Sequence, residues 1–202
     1  MKTRTVILIM LLIAGGVSCI PSLYPLYREK DLLYDGRLAG KFDLDGDRWE
    51  FDSLDLGSPM DQGDWWGRFE SGKTYRLTAF DDEEVARFAV HLIRLNSNYY
   101  LDFFPVTYHI EHSALDAHLF PAHIFAKLEF QEDDLVVYWF DGEFLVDLID
   151  SNKIRISYEE LENTILLTAR TDELQNFVKK YGDDPRAYVD AEDPDTLYRI
   201  HN

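Results

Sequence analysis

Between Leu38 and Thr168, apolar and polar residues alternate with a period of two in one stretch after another. Trp49 and Phe51, Tyr75 and Leu77, and then Tyr99, Leu101 and Phe103 each fall two apart. Val85, Phe88, Val90 and Leu92 lie in a longer β-rich run that ends near Leu95, and residues 124–130, 135–140 and 164–168 read as further strands. Successive side chains of a strand point to opposite faces, so this period describes strands buried on one side. Asp45-Gly46, Ser71-Gly72, Asn96-Ser97-Asn98 and the acidic run from Gln131 to Asp134 separate the stretches and favour hairpins. Seven to nine strands in sequence order predict an antiparallel meander, because a βαβ fold needs a helix between each pair. About eight strands can close into a barrel that either fills with side chains or holds one small ligand.

Two helices are predicted to flank these strands. Thr171 to Tyr181 has Thr171 as its expected cap, Asp172 and Glu173 at its positive end, Lys179 and Lys180 at its negative end, and Gly182 beyond it. Its residues Leu174, Phe177, Val178 and Tyr181 form one apolar stripe that must pack on something. The second helix, Gly142 to Ser151, groups Phe144, Leu145, Leu148 and Ile149. The fold class is therefore mainly β, an antiparallel barrel of about eight strands with one or two flanking helices.

The opening of the chain follows a different logic. Lys2 and Arg4 precede nine uninterrupted apolar residues, Val6 to Ala14, and then Gly15, Gly16, Val17 and Ser18. A membrane-spanning helix needs roughly 20 apolar residues. A charged start, a short apolar centre and a small-residue exit describe a secretory signal peptide instead. Cys19, directly behind it, is the single cysteine of the chain, so no disulfide forms within it. Gly16-Val17-Ser18-Cys19 resembles the lipobox of bacterial lipoproteins, with Gly16 where that motif usually carries Leu. The resemblance implies cleavage between Ser18 and Cys19, a diacylglyceryl group on the Cys19 sulfur and acylation of the new amino terminus. Two or more acyl chains anchor stably where one does not. It also makes Cys19 an anchor point and not a nucleophile. The expected organisation is a signal peptide over 1–18, a lipidated N-terminus and extended tether over 19–35, and one barrel-like domain over 36–202. Ile20 stands where an aspartate marks retention at the inner membrane, which favours the outer membrane in an organism with two.

Composition narrows the partners. Thirty-eight acids against 20 lysines and arginines give a net charge of −18, which repels phosphate backbones and argues against nucleic-acid binding. Anionic lipid surfaces are equally unattractive to such a chain, so the acyl groups on Cys19 must provide the membrane contact. The clusters Asp81-Asp82-Glu83-Glu84 and Glu132-Asp133-Asp134 lie between apolar runs and read as solvated turns.

Ser22-Leu23-Tyr24-Pro25-Leu26-Tyr27, Glu29, Asp31-Leu32 and Leu38-Ala39-Gly40 resemble the start of a group of small bacterial lipoproteins, to which the resemblance attaches no catalytic activity. Gly40-Lys41-Phe42 also resembles the Gly-x-Trp of the first lipocalin strand, with Phe42 in place of Trp. That likeness implies a calycin-like barrel and a late basic residue packed over the aromatic ring, for which Arg170 is the expected counterpart.

Candidate chemistry is sparse. His109, His112, His118 and His123 fall within fifteen residues together with Glu111 and Asp116, ligand types that zinc uses. The order His-Ile-Glu-His matches neither HExxH nor its inverse, and His123 is expected at a strand start, away from the loop. Asp43, Asp45 and Asp47 alternate, but glycine falls at the fourth position and Leu54 at the twelfth, so the EF-hand pattern fails and a hairpin turn explains them better. Trp65-Trp66 would point to opposite faces of a strand. There is no Gly-x-Ser-x-Gly elbow and no phosphate-binding glycine loop. No catalytic residue, metal site or cofactor is therefore assigned. The expected role is a non-enzymatic envelope lipoprotein that binds a small apolar ligand or a partner. The alternatives are a structural or assembly lipoprotein with a filled barrel and, third, a metal-dependent hydrolase built on the histidines of 109–123.

Overall fold

The computed structural model describes residues 19–54, 72–81, 84–107, 120–161 and 164–201. Residues 1–18, expected to be a signal peptide, Trp65-Trp66, His109, His112 and His118 lie outside the described residues. Eight antiparallel strands form a closed barrel: β2 (Gly40–Leu44), β3 (Asp47–Ser53), β4 (Thr74–Asp81), β5 (Glu84–Leu95), β6 (Asn98–Thr107), β7 (Ile124–Gln131), β8 (Asp134–Trp139) and β11 (Asp195–Arg199). Seven of them run up and down in chain order. β11 slots between β8 and β2, and β5 pairs with β6 to complete the ring. A short strand, β1 (Leu32–Leu33), pairs with β5 outside the ring. The late strand expected at 164–168 is β10 (Thr164–Leu167), and it is outside the barrel, paired with β9 (Tyr158–Leu161) in a separate hairpin.

Local sequence accounts for the turns. Asp45 and Gly46 both take positive φ, 54° and 98°, as a two-residue hairpin turn requires, and they join Leu44 directly to Asp47. The irregular spacing of Val85 against Phe88 has a cause as well. β5 pairs with β4 without a break, so Val85, an odd number of residues from Phe88, Val90 and Leu92, falls on the opposite face and is exposed, while the β5–β6 register shift places its extra residue, Val106, on β6.

The helices fall where the sequence put them, with one change. α1 (Gly142–Asp150) is capped by the Asp141 carboxylate, which accepts from the Glu143 N–H. α2 (Thr171–Tyr181) has Arg170 as its N-cap position, without a side-chain cap. Thr171 is already helical, and its hydroxyl donates to the Pro25 carbonyl at 2.8 Å instead.

Two cores result. Inside the barrel, Phe42, Phe51, Tyr75, Leu77, Leu92 and Leu101 are almost fully buried. Outside it, a second core forms beneath α1, α2 and residues 20–32. Phe140 is its hub, with ring centroids of Phe125, Phe177 and Tyr188 at 5.5, 5.7 and 4.8 Å.

The basic residue over the first-strand aromatic ring is Arg199, with its guanidinium carbon 4.5 Å from the Phe42 centroid. Arg170 lies over Tyr24 instead, at 5.5 Å. The reason is topological. β11 is the strand beside β2, whereas Arg170 precedes a helix in the outer layer. Arg199 also donates to the carbonyls of Asp133 (2.9 Å), Ala39 (3.0 Å) and Arg37. Gly40, at φ +146°, has no Cβ to collide with that guanidinium. Arg199→Ala removes these bonds and the ring contact together, and is expected to cost about 2–4 kcal/mol, read as a lower urea midpoint. Arg170→Ala should stay within about 1 kcal/mol of the parent, since it loses one exposed cation–π contact.

Candidate functional site

Strands β5 and β6 carry apolar residues on both faces. On the outward face, Ile93 and Tyr100 are buried alongside two exceptions, His91 and Asp102, which are 1% and 0% exposed. A buried polar side chain must be bonded or it destabilises the fold. Cross-strand pairing lines these groups up, since Thr74 sits opposite His91 and His91 opposite Asp102. His123, in an isolated bridge just before β7, closes the group, and so sits at a strand start as expected.

The bonding is close. The Nδ1–H of His123 donates to Asp102 Oδ1 at 2.7 Å, and Asp102 Oδ2 accepts the Leu26 backbone N–H at 2.7 Å. Thr74 Oγ1 and His91 Nε2 are 3.0 Å apart. The Tyr27 ring lies 4.2 Å from that of His91 and presents an edge to His123 at 6.5 Å, while Phe104 covers His123 at 4.6 Å. Burial pushes the His91 pKa down to about 4, against an opposing pull from Asp102, so the ring is neutral at pH 7. Burial, then the Asp102 charge, pushes the Tyr27 phenol far up, so it stays protonated.

A carboxylate bonded to imidazole Nδ1 is the orienting half of many general-base sites. Here no described residue supplies the other half. Among the described residues, Asp102 is the one hydrogen-bond partner of the His123 ring, and the nearby Ser22 hydroxyl donates to the Tyr24 carbonyl instead. Among the described residues, too, no three His, Cys, Asp or Glu side chains gather closely enough to hold a metal ion. The group acts as a clasp. The carboxyl grips Leu26, Ser22 and His123 exchange both backbone bonds at 2.8 Å, and Leu167 donates to Pro21 and accepts from Leu23 at 2.9 Å each. Gln175 of α2 donates to the Leu26 carbonyl at 3.0 Å. The stretch 19–35, read from sequence as an extended tether, is thus extended near its two prolines but sewn to the barrel, with Ile20 only 3% exposed.

Cys19 begins this strap and is half-buried. Burial is the main cause raising its thiol pKa, and Asp195 raises it further against the bond from its own backbone, so no thiolate is favoured. No hydroxyl or carboxylate pair in the sequence reading pointed to Asp102 or His91. The available signal was a lone charge and a lone imidazole on strands apolar on both faces, a pattern that demands partners.

Aromatic rings pack on one another inside the barrel. Trp49, Phe51 and Phe103 lie ring against ring at 6.2–6.4 Å, and Trp139 packs on Phe103 at 5.3 Å near one end. The Trp139 indole N–H donates to Asp195 at 2.7 Å. Searches against protein families, characterised proteins and solved structures find no match to this chain.

Two outcomes follow. His91 takes up a proton near pH 6.5 when unfolded but only near pH 4 when folded, so the unfolded state binds more protons in that window. Stability should therefore fall as the pH drops from 6.5 toward 4, by on the order of 3 kcal/mol from this group. Urea titrations of His91→Gln should show that part of the pH dependence flattened. Asp102→Ala leaves His123 and the Leu26 amide without their buried acceptor and should cost about 3–5 kcal/mol. Hydrogen exchange should then show the Leu26 amide losing protection before the barrel amides do.

Proposed function

We propose that this protein is an exported, lipid-anchored envelope lipoprotein whose barrel is a solid, non-enzymatic scaffold for a protein partner. The observation that carries the reading is the interior. Six large side chains of the interior have almost no exposed surface, and Phe42, Phe51 and Trp49 lie ring against ring. A pocket for a small apolar ligand runs to several hundred cubic ångströms, and an interior so occupied favours the structural role over ligand carriage. The bland bonding of the Asp102–His123 pair supports a role without catalysis.

The anchor is Cys19, acylated after cleavage behind Ser18, and the absence of an aspartate at Ile20 favours an outer membrane. Because Ile20 is packed and Pro21 is bonded to Leu167, acyl chains at residue 19 would hold the domain directly against the bilayer and not on a stalk. The acidic surface repels anionic headgroups, so the hydrocarbon chains carry the whole attachment.

The test is mass spectrometry of the protein extracted from its own membranes, under native and then denaturing conditions. Equal masses carrying only acyl groups on Cys19 are expected. An extra mass lost on denaturation would replace the scaffold reading with a carrier. Fractionation of Cys19→Ala should find the chain released from the membrane, and retention there would overturn the anchor.

A further inference from the structure

The hairpin β9–β10 lies outside the barrel and has one edge already used. Thr168 donates to the Ser157 carbonyl at 3.0 Å, which marks residues 157 and 168 as a hydrogen-bonded pair. The antiparallel register then makes Glu159 with Leu166 the next bonded pair, and leaves Tyr158 with Leu167 as a non-bonded pair between them. The backbone confirms the phase, because the N–H and C=O of Leu167 point away from β9 to bond Pro21 and Leu23. By the same alternation, the N–H and C=O of Tyr158 and Glu160 point away from β10. No described residue takes them up. Tyr158 of this strand also lines an open groove of about 340 Å³, together with Ile149, Ile154, Ile156, Arg155 and Glu173.

We propose that β9 is a strand-addition site, and that its occupant is an extended segment of a partner protein with alternating basic and apolar residues. Free backbone groups supply the hydrogen bonds of such an added strand, and pockets beside the edge supply selectivity for alternate side chains. Charge selects the occupant. Glu159 and Glu160 are both exposed on the edge strand itself. A second copy of this chain pairing β9 to β9 would set these glutamates against one another, which is unfavourable. Glu159 and Glu160 lie on opposite faces, so the lysines or arginines of an alternating strand meet Glu159 with opposite charge, while its apolar residues share the face of Tyr158, which lines the isoleucine groove. The site rests on the reading of this domain as a scaffold for a protein partner, and it does not depend on the lipid anchor.

The test uses the detergent-extracted full chain and three labelled ten-residue peptides in fluorescence anisotropy. One alternates lysine and valine, one has the same charge with prolines in place of the valines, and one alternates glutamate and valine. The lysine–valine peptide is expected to bind at least tenfold more tightly than either of the others. Amide exchange at Tyr158 and Glu160 should slow in its presence, a change that mere charge attraction would not produce. Glu160→Pro removes an outward N–H without touching a β9–β10 bond, and should weaken binding about tenfold. Glu159→Lys, which keeps the backbone intact and reverses the charge that faces the lysines, should weaken it as well and serves if the proline variant fails to fold. Equal binding of the two lysine peptides, no binding of either, or unchanged exchange at Tyr158 and Glu160 would overturn the proposal. None of those results bears on whether the barrel interior holds a ligand.

Discussion

Strands β5, β6 and β8 are apolar on both faces, and a barrel interior satisfies only one of them. Val90, Leu92, Leu101 and Val137 take the inside, which leaves Ile93, Tyr100 and Phe140 facing out with nothing from the barrel to cover them. Fully burying one such side chain is worth roughly 1.5–3 kcal/mol. A second layer is therefore required, and the chain assembles it from pieces that no repeat or linker announces: α1, α2, the 185–187 turn and the N-terminal strap. The strap is the piece with the least choice. It has too few residues to form a core alone, and its two prolines keep it out of a helix. It can bury Ile20 and Leu26 only by lying across the barrel wall.

Apolar cover alone would let such a strap slide. An extended segment laid on a greasy surface has no preferred register, whereas a buried carboxyl has few acceptable ones. Asp102 needs donors in the low-dielectric space beneath the strap, and the Leu26 N–H and the His123 ring supply them in one position only. Gln175 and Thr171 then tie the strap's carbonyls to α2, so the helix and the strap dock as one unit. The polar group is thus best understood as a device for register. That accounts for a carboxylate–imidazole pair to which no described residue adds a nucleophile.

Much of the barrel was legible in the sequence because period-two patterning reports inward and outward faces directly. The turn at Asp45-Gly46, the pair β7–β8 and both helices follow from local signals that tertiary packing did not override. The closing strand was not legible. Asp195–Arg199 contributes one buried apolar residue, Leu197, to the interior, and a single inward residue sets no period. Missing that strand is also what misdirected the search for the basic residue over Phe42, since Arg199 lies on it. The Asp102 site was hidden for a related reason. Asp102 and His123 are 21 residues apart in sequence, and their meeting depends on the β6–β7 pairing and not on any spacing.

The same two-layer plan separates the places where this molecule could meet others. Chain direction puts Cys19, bonded indirectly through Ser22 to His123, near the barrel end where β6 leaves and β7 enters. The hairpin β9–β10 belongs to the outer layer and is joined to the barrel through the strap itself, with Leu167 bonded to Pro21 and Leu23. Strap, hairpin and His123 therefore form one continuous run of backbone bonds from Pro21, two residues after Cys19, to the hairpin strands β10 and β9. A pull at one end is felt at the other through rigid hydrogen-bonded neighbours and not through a flexible linker.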